Sequence, residues 1–231
     1  MQQVIIIFGP PGAGKGTQSG LLSEKTGFYF LESSKVLERE FRKDSSPEKF
    51  IEADGQKFYI QDEIKNWKTG VLNSPPFVTL LMENEIKKIF DDGKSLILAG
   101  SPRTMYEVGK MMPFLADLFG KENINIVFLQ ISPEQTIFRN SHRRICELMR
   151  HSIFYSKESE KLERCPIDNS LLVKRKDLDD PETIKVRLKE YSERTAPMFD
   201  YFKQNGYAVS EINGESSIEE VFNNVLKALN I

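Results

Sequence analysis

The sequence predicts an α/β fold, a P-loop NTPase-type parallel sheet covered by helices, with two inserted lobes. Three observations predict it. Four short apolar runs recur along the chain, helical stretches alternate with them, and a glycine-rich loop ending in a lysine follows the first run directly. Strands buried on both faces read as unbroken apolar runs, and strand–helix alternation argues for a doubly wound sheet.

Taken in order, the first run is Val4–Phe8, and the glycine-rich segment Gly9-Pro10-Pro11-Gly12-Ala13-Gly14-Lys15-Gly16-Thr17 leaves it at once. A helix through Leu22 that stops near Gly27 is expected next. The later runs cover 95–99, 124–129 and 207–212. Between them, residues 77–90 place Val78, Leu81, Met82, Ile86, Ile89 and Phe90 near a 3.6-residue period, with Pro75 and Pro76 suiting the entry and Gly93 the exit. Residues 181–205 read as one helix, with Asp180 as N-cap, Pro181 at the first helical position and Gly206 at the end. Two regions break the alternation. Residues 33–72 are polar, helical in character and broken at Ser45-Ser46-Pro47; residues 139–187 hold both histidines, both cysteines and an excess of Lys and Arg over Asp and Glu. Both read as inserts, leaving 1–32, 73–138 and 188–231 as the core. By composition the second insert is a solvated loop of mixed charge or a cationic cover over an anionic ligand.

A chain of 231 residues suggests one domain, or one core with inserted lobes, and can bury enough surface to fold without a disulfide or metal staple. Its 32 basic and 34 acidic side chains leave a formal charge of −2, which argues against binding nucleic acid by bulk electrostatics. With 39% hydrophobic and 29% charged residues, disorder and collagen-like repeats are excluded. The apolar runs are strand-sized, too short to cross a bilayer. No signal peptide is recognisable ahead of the first strand, so a cytoplasmic protein without a membrane partner, acting as a monomer, is expected. Two cysteines are too few for a disulfide framework.

The glycine-rich segment carries the chemistry. Strand before and helix after are the context a phosphate loop requires. Gly9, Gly12, Gly14 and Gly16 leave backbone N–H groups free to turn around phosphate oxygens, and the following helix adds its positive end. Lys15 supplies a charge for the β- and γ-phosphates, and Thr17 a hydroxyl for the Mg²⁺ that accompanies ATP.

These residues resemble one family. GPPGAGKGTQ at 9–18 is similar to the phosphate loop of adenylate kinases. Gly100-Ser101-Pro102-Arg103-Thr104 resembles the family's Asp-Gly-Phe-Pro-Arg-Thr stretch, and His142-Arg143-Arg144-Ile145-Cys146 the start of its mobile lid, with Arg139 four residues before Arg143. Lys174-Arg175-Lys176-Asp177 and Glu182-Thr183…Arg187-Leu188…Tyr191…Thr195-Ala196-Pro197 resemble the lid exit and the next helix. The resemblance covers almost the whole chain. It implies a monophosphate-binding lobe at 33–72 and a lid at 139–187. It also implies reversible transfer of the ATP γ-phosphoryl group to AMP. Lys15, Arg103, Arg143, Arg175 and Arg187 would be catalytic. Gly12, Ala13, Gly14, Lys15, Gly16, Thr17, Arg139, Arg143 and Gly214 would bind ATP; Ser33, Gly100, Arg103, Glu107, Arg175 and Arg187 would bind the monophosphate. Guanidinium groups suit such a clamp, being bidentate and permanently charged.

The departures from the family pattern raise expectations of their own. Where the family has Ser-Thr-Gly-Asp-Leu-Leu-Arg, this chain has Glu32-Ser33-Ser34-Lys35-Val36-Leu37-Glu38, and Ala99 stands where an aspartate precedes Gly100. Both acids that the family uses to hold Mg²⁺ through its waters are thus absent, with Lys35 and Arg39 as substitutes for the missing phosphate-binding arginine. A catalytically weakened nucleotide-binding paralogue is one alternative. A kinase for another monophosphate such as GMP is a second, because Glu107 stands where the family has glutamine, and an ionised carboxylate suits a base edge with two donors; a Glu107 paired with a basic residue away from the base is the other reading. In the lid, Cys146 and Met149, then Cys165 and Asp168, keep the rhythm of a four-ligand zinc knuckle. Met149 interrupts the set, so zinc is improbable there and hydrophobic packing is expected, with His151 a replacement ligand that the sequence does not place.

Overall fold

The computed structural model describes residues 2–44, 46–175 and 178–231. Ser45, within the expected break of the first insert, and Lys176 and Asp177, within the expected lid exit, lie outside the described residues.

The chain enters through β1 (Val4–Phe8), whose five side chains are all buried, and passes through the glycine-rich loop into α1 (Lys15–Thr26). Gly27 closes that helix in the left-handed conformation, as its position in the sequence anticipates. The polypeptide then forms β2 (Tyr29–Glu32) and α2 (Ser33–Lys43). β3 (Phe50–Ala53) and β4 (Gln56–Tyr59) make a hairpin, followed by α3 (Ile60–Thr69). After α4 (Pro75–Asp91) come β5 (Leu96–Ala99), α5 (Met105–Phe119), β6 (Ile124–Gln130) and α6 (Pro133–His142). A small antiparallel sheet of β7 (Arg144–Cys146), β8 (Ser152–Ile153) and β9 (Leu172–Val173) forms within the region expected as the second insert. The chain ends with α7 (Pro181–Glu190), α8 (Met198–Gln204), β10 (Ala208–Asn213) and α9 (Ile218–Leu229).

The main sheet has the order β10-β6-β1-β5-β2, and every pairing is parallel. Alternate side chains of β1 feed two cores. Val4, Ile6 and Phe8 join Met82, Met111, Leu115 and Phe202, whereas Ile5 and Ile7 join Leu22, Val221 and Val225. This two-sided burial is why the apolar runs are continuous. The connections out of the neighbouring strands β1 and β6 run to opposite edges of the sheet, β2 and β10, so a crevice opens beyond the carboxyl ends of the central strands, where ligands bind in folds of this class. Register fixes what faces it, because Ile7 pairs with Ala99 and Ala99 with Glu32.

Three local features differ from the sequence reading. β2 was not expected as a strand; it lies at the sheet edge, four residues long, with only Leu31 fully buried. Residues 33–72 contain the β3–β4 hairpin besides helices. Asp54 and Gly55 both have positive φ at its turn, a pairing that the Asp-Gly dipeptide favours. The single helix expected over 181–205 is divided by a wider π-turn at Tyr191–Thr195, where Ala196 N–H donates to the Tyr191 carbonyl at 2.7 Å. Pro197 accounts for the division, since it has no N–H to donate and its ring crowds the preceding turn. The widened turn has a use: Thr195 Oγ1 donates to the carbonyl of Arg103 at 2.7 Å and pins the start of the Arg103 segment.

Candidate active site

The crevice is a cleft of about 790 Å³ running between the two inserts. The glycine-rich loop forms its floor. At Gly9 a Cβ would collide with the Leu129 carbonyl oxygen, and at Gly12 it would lie 2.7 Å from Asn140 Nδ2, so the loop threads between β6 and α6 only with glycine at both points. Lys15 curls back over the loop, donating to the carbonyls of Gly9 at 2.7 Å and Pro10 at 2.8 Å. Thr17, in the first turn of α1, also lines the cleft.

Lys15, Arg103, Arg143, Arg175 and Arg187 converge on this space from five different segments, and Arg139 joins them at the rim. Burial, and then the charges of Arg103, Arg187 and Arg143, pull the Lys15 ammonium well below the ordinary lysine range; Glu32 opposes them. Burial and the charge of Arg175 bring Arg143 down to about 10, and the same causes, with Arg143 added, depress Arg187. Asp179 holds the arginines together. Its carboxylate takes Arg175 Nε at 2.9 Å and Nη2 at 2.6 Å, a bidentate pair, with Arg187 at 3.6 Å and Arg143 at 3.9 Å. Arg103 Nε donates to the Gly100 carbonyl, which also accepts from Ser33 Oγ at 2.7 Å. Arg143 donates to Asn140 Oδ1, and Arg139 reaches the Gly12 and Glu215 carbonyls at 3.5 and 3.4 Å. Phe138, His142 and Tyr155 form an aromatic cluster by the rim, with ring centroids 4.5 to 5.5 Å apart.

Of the residues named from the sequence, Gly12, Gly14, Gly16, Thr17, Gly100 and the cations above share the cleft. Ala13, Ser33, Gly214 and Glu107 do not line it. Ala13 is buried behind the loop, Ser33 serves the Gly100 carbonyl, and Gly214 is buried with its N–H donating to Gln130 O at 2.8 Å. Glu107 is drawn inward. Thr104 caps α5, and the Glu107 carboxylate accepts from Ser101 Oγ at 2.7 Å, Arg103 N–H at 3.1 Å and Thr104 Oγ1 at 3.1 Å. Both its oxygens are occupied, close to a capping-box arrangement, and its side chain is not among those lining the cleft. Burial pushes its carboxyl up, against these hydrogen bonds and the Arg103 charge.

Of the substitutes expected for the missing arginine, Lys35 lines the cleft and Arg39 does not. Arg39 pairs with Glu85 at 2.6 Å, and Lys35 is mostly exposed with Nζ 3.8 Å from Glu32. Glu38 is reached by Arg42 of its own helix at 3.9 Å and, from residues 139–187, by Arg150, whose Nη2 lies 3.2 Å from Glu38 Oε1. Asp179, Arg150 and the aromatic cluster were not singled out from the sequence. Only the paired acids after Arg175 offered a signal for Asp179.

The lid residues require a correction. Cys146, His151, Cys165 and Asp168 each turn one donor atom inward, and these atoms all lie within 4.8 Å of one another. Cys146 Sγ is 3.0 Å from Asp168 Oδ2, His151 Nδ1 is 3.2 Å from the same oxygen, and both sulfurs are 3.5 Å from His151 Nδ1. Met149 is 63% exposed. The knuckle is therefore not an apolar plug. The chain turns left-handed at Arg150 (φ 59°) and brings His151 to the place that Met149 vacates. Two thiols, an imidazole and a carboxylate are a zinc-type donor set.

A phosphate loop at the carboxyl end of a parallel sheet, faced by arginines from a separate insert, defines a P-loop phosphotransferase. Comparison with known proteins makes this specific. A family model described as adenylate kinase matches residues 7–207. The chain is 31% identical over 227 residues to the adenylate kinase of Clostridium botulinum (strain Loch Maree / Type A3), covering 97% of both. It is also 31% identical over 229 residues to that of Mycoplasma capricolum subsp. capricolum, covering 98% of this chain and 99% of the other. The chain belongs to the adenylate kinase family.

The Asp179 contacts generate a prediction. Asp179→Asn leaves three buried guanidinium groups without their counter-charge and should cost about 3 kcal/mol of stability. Inorganic tripolyphosphate should return most of the loss, because the missing negative charge is supplied from solution. Thermal unfolding of both proteins with and without the anion measures this; an unchanged Tm in the variant counts against the role of Asp179.

Proposed function

We propose that the protein is a nucleoside monophosphate kinase that transfers the γ-phosphoryl group of Mg·ATP reversibly to AMP. The observation that carries the reading is the meeting of Lys15 with Arg103, Arg143, Arg175 and Arg187 in one cleft whose floor is the phosphate loop. Depressed proton affinities mark groups that lack an anion, and two nucleotides supply it end to end. Family membership supports AMP as the acceptor. Glu107 gives no independent support to GMP, since its carboxylate is taken up by Ser101, Thr104 and the Arg103 backbone. Arg139 and the aromatic cluster at the rim suit a nucleotide base on the donor side.

In this reading residues 33–72 hold the acceptor and residues 139–187 form the lid. The loop N–H groups and Lys15 hold the β- and γ-phosphates, and the arginines steady the transferred group. The bond from the γ-phosphorus to the bridging oxygen breaks as one forms to an acceptor phosphate oxygen, so no proton needs to be removed. Thr17 would offer its hydroxyl to the Mg²⁺ that accompanies ATP, which would neutralise charge on the phosphates. Closure of both inserts excludes the water that would otherwise hydrolyse ATP. A single chain supplies every group named, so the reading needs no second copy. Among the described residues no helix is long and apolar enough to cross a membrane; a cytoplasmic site of action is part of the proposal.

The lid cluster fits structural zinc, which would be held by Cys146, His151, Cys165 and Asp168. Zinc there would clamp the β7–β8 turn to the Cys165 loop and keep the arginine-bearing lid rigid as it moves.

Two measurements test these readings. Coupled assays with ATP and a panel of monophosphates should show turnover with AMP above GMP. Lys15→Met should remove it, by about a hundredfold or more, with circular dichroism unchanged; undiminished turnover in Lys15→Met rejects the loop as the donor site. For the metal, elemental analysis of the purified protein should find about one zinc per chain, lost in Cys146→Ser together with part of the thermal stability. Protein with no zinc after growth in zinc-supplemented medium contradicts the assignment.

A further inference from the structure

We infer that Glu32 is the carboxylate that anchors the hydration shell of nucleotide-bound Mg²⁺ in this chain, a task for which positions 35 and 99 hold a lysine and an alanine. The inference rests on the reading of the cleft as a Mg·ATP site.

Position comes first. Glu32 is the last residue of β2 and pairs in register with Ala99, which pairs with Ile7, two residues before the glycine-rich loop. Glu32, Ala99 and the loop entry therefore lie in one row across the carboxyl ends of β2, β5 and β1, and Glu32, Ala99, Lys15 and Thr17 line the same cleft. An acid at position 32 starts one strand away from one at position 99, about 4.8 Å. The longer glutamate side chain recovers part of that distance.

Availability comes second. Five acids stand near the cations of the cleft: Asp179 and, on the cleft wall, Glu24, Glu32, Glu38 and Glu190. Asp179 is buried and committed to Arg175, Arg143 and Arg187. Glu32 accepts one short hydrogen bond, from Ser34 Oγ to Oε1 at 2.8 Å, and its Oε2 has Lys35 at 3.8 Å as its ion-pair partner. Glu38 and Glu190, also on the cleft wall, are engaged by Arg150 and Arg194 at 3.2 and 2.9 Å. Glu24 lies nine residues beyond Lys15 on α1, so Glu32 is, among these acids, the one in the row of strand ends beside the phosphate loop with capacity to accept further hydrogen bonds.

Charge comes third. A carboxylate beside Lys15 repels an incoming polyphosphate unless a cation lies between them. Hydrated Mg²⁺ provides that cation, and its waters are donors suited to a carboxylate. A residue serving only as counter-charge to the empty cleft would weaken ATP binding equally with and without the metal. The two roles differ in one quantity, the factor by which Mg²⁺ strengthens nucleotide binding.

Calorimetry with a non-hydrolysable ATP analogue, in excess Mg²⁺ and in a chelator, measures that factor on the full chain. Glu32→Gln should bind the metal-free analogue as well as the parent or better, while the Mg²⁺ enhancement falls roughly tenfold. Glu32→Asp, which keeps the charge but shortens the reach, should lose part of the enhancement. Adding Ala99→Asp to Glu32→Gln should restore most of it from the neighbouring strand. An enhancement equal to the parent's in both single variants overturns the inference while leaving the Mg·ATP reading intact, provided Lys15→Met binds the analogue more weakly than the parent. If the parent fails to bind the analogue at all, the cleft reading and the inference fall together.

Discussion

Like charges gathered in a half-buried space are the constraint on which this structure turns. Two unit charges 4 Å apart repel by about 4 kcal/mol at the effective dielectric of a protein surface, and this cleft gathers a lysine and four arginines. Such a group is tolerable only if the fold supplies counter-charge, lets protons leave, or awaits an anion. All three are visible. Asp179 binds three of the arginines, burial and neighbouring cations lower the proton affinity of Lys15, and the open floor of the cleft is a loop of backbone donors. A polyphosphate completes an arrangement that the protein alone leaves under tension.

The sheet makes that arrangement possible with little local strain. Parallel strands end in register, so Gly9, Gly100 and Glu32 leave the sheet side by side, and each following segment delivers one functional group. The remaining charges come from outside the core. Arg143 follows α6, Arg175 follows β9 and Arg187 lies on α7, so their meeting with Lys15 depends on how the lid sits. The Arg150–Glu38 contact joins the lid directly to the first insert.

Much of this was legible in the sequence, for physical reasons that differ by element. The three inner strands, β1, β5 and β6, were readable because burial on both faces removes the polar alternation; β10, at the other sheet edge with Ile212 as its one buried residue, was readable from the apolar run at 207–212, and α1 and α4 because glycine and proline mark their ends. β2 escaped because an edge strand of four residues carries no such run. The hairpin escaped although Asp54-Gly55 names its turn, because the polar residues around it carry no period of their own. The π-turn needed the consequence of Pro197 to be followed one turn back. At the site, the phosphate loop and arginines were readable as motifs. Glu107 was not, because the same residue can read a base or cap a helix, and only the positions of Ser101 and Thr104 decide. The lid knuckle shows the same limit. Cys146, Cys165 and Asp168 kept their rhythm, but the fourth donor moved two residues to His151, and a left-handed turn at Arg150 has no sequence signature beyond the chain itself.

If the cleft is held short of its anion, nucleotide binding must return a proton to it. Calorimetric titration with ATP in two alkaline buffers of different ionisation enthalpy, above the titration of the γ-phosphate itself, counts protons directly. The free protein holds Lys15 below its ordinary value of 10.5, so binding should draw a proton in, and affinity should fall as pH rises through the depressed Lys15 range. The uptake should vanish in Lys15→Met. Binding of ATP with no proton exchange in the parent protein would contradict the account, because it would mean that Lys15 is already fully charged without the phosphates it is held to await.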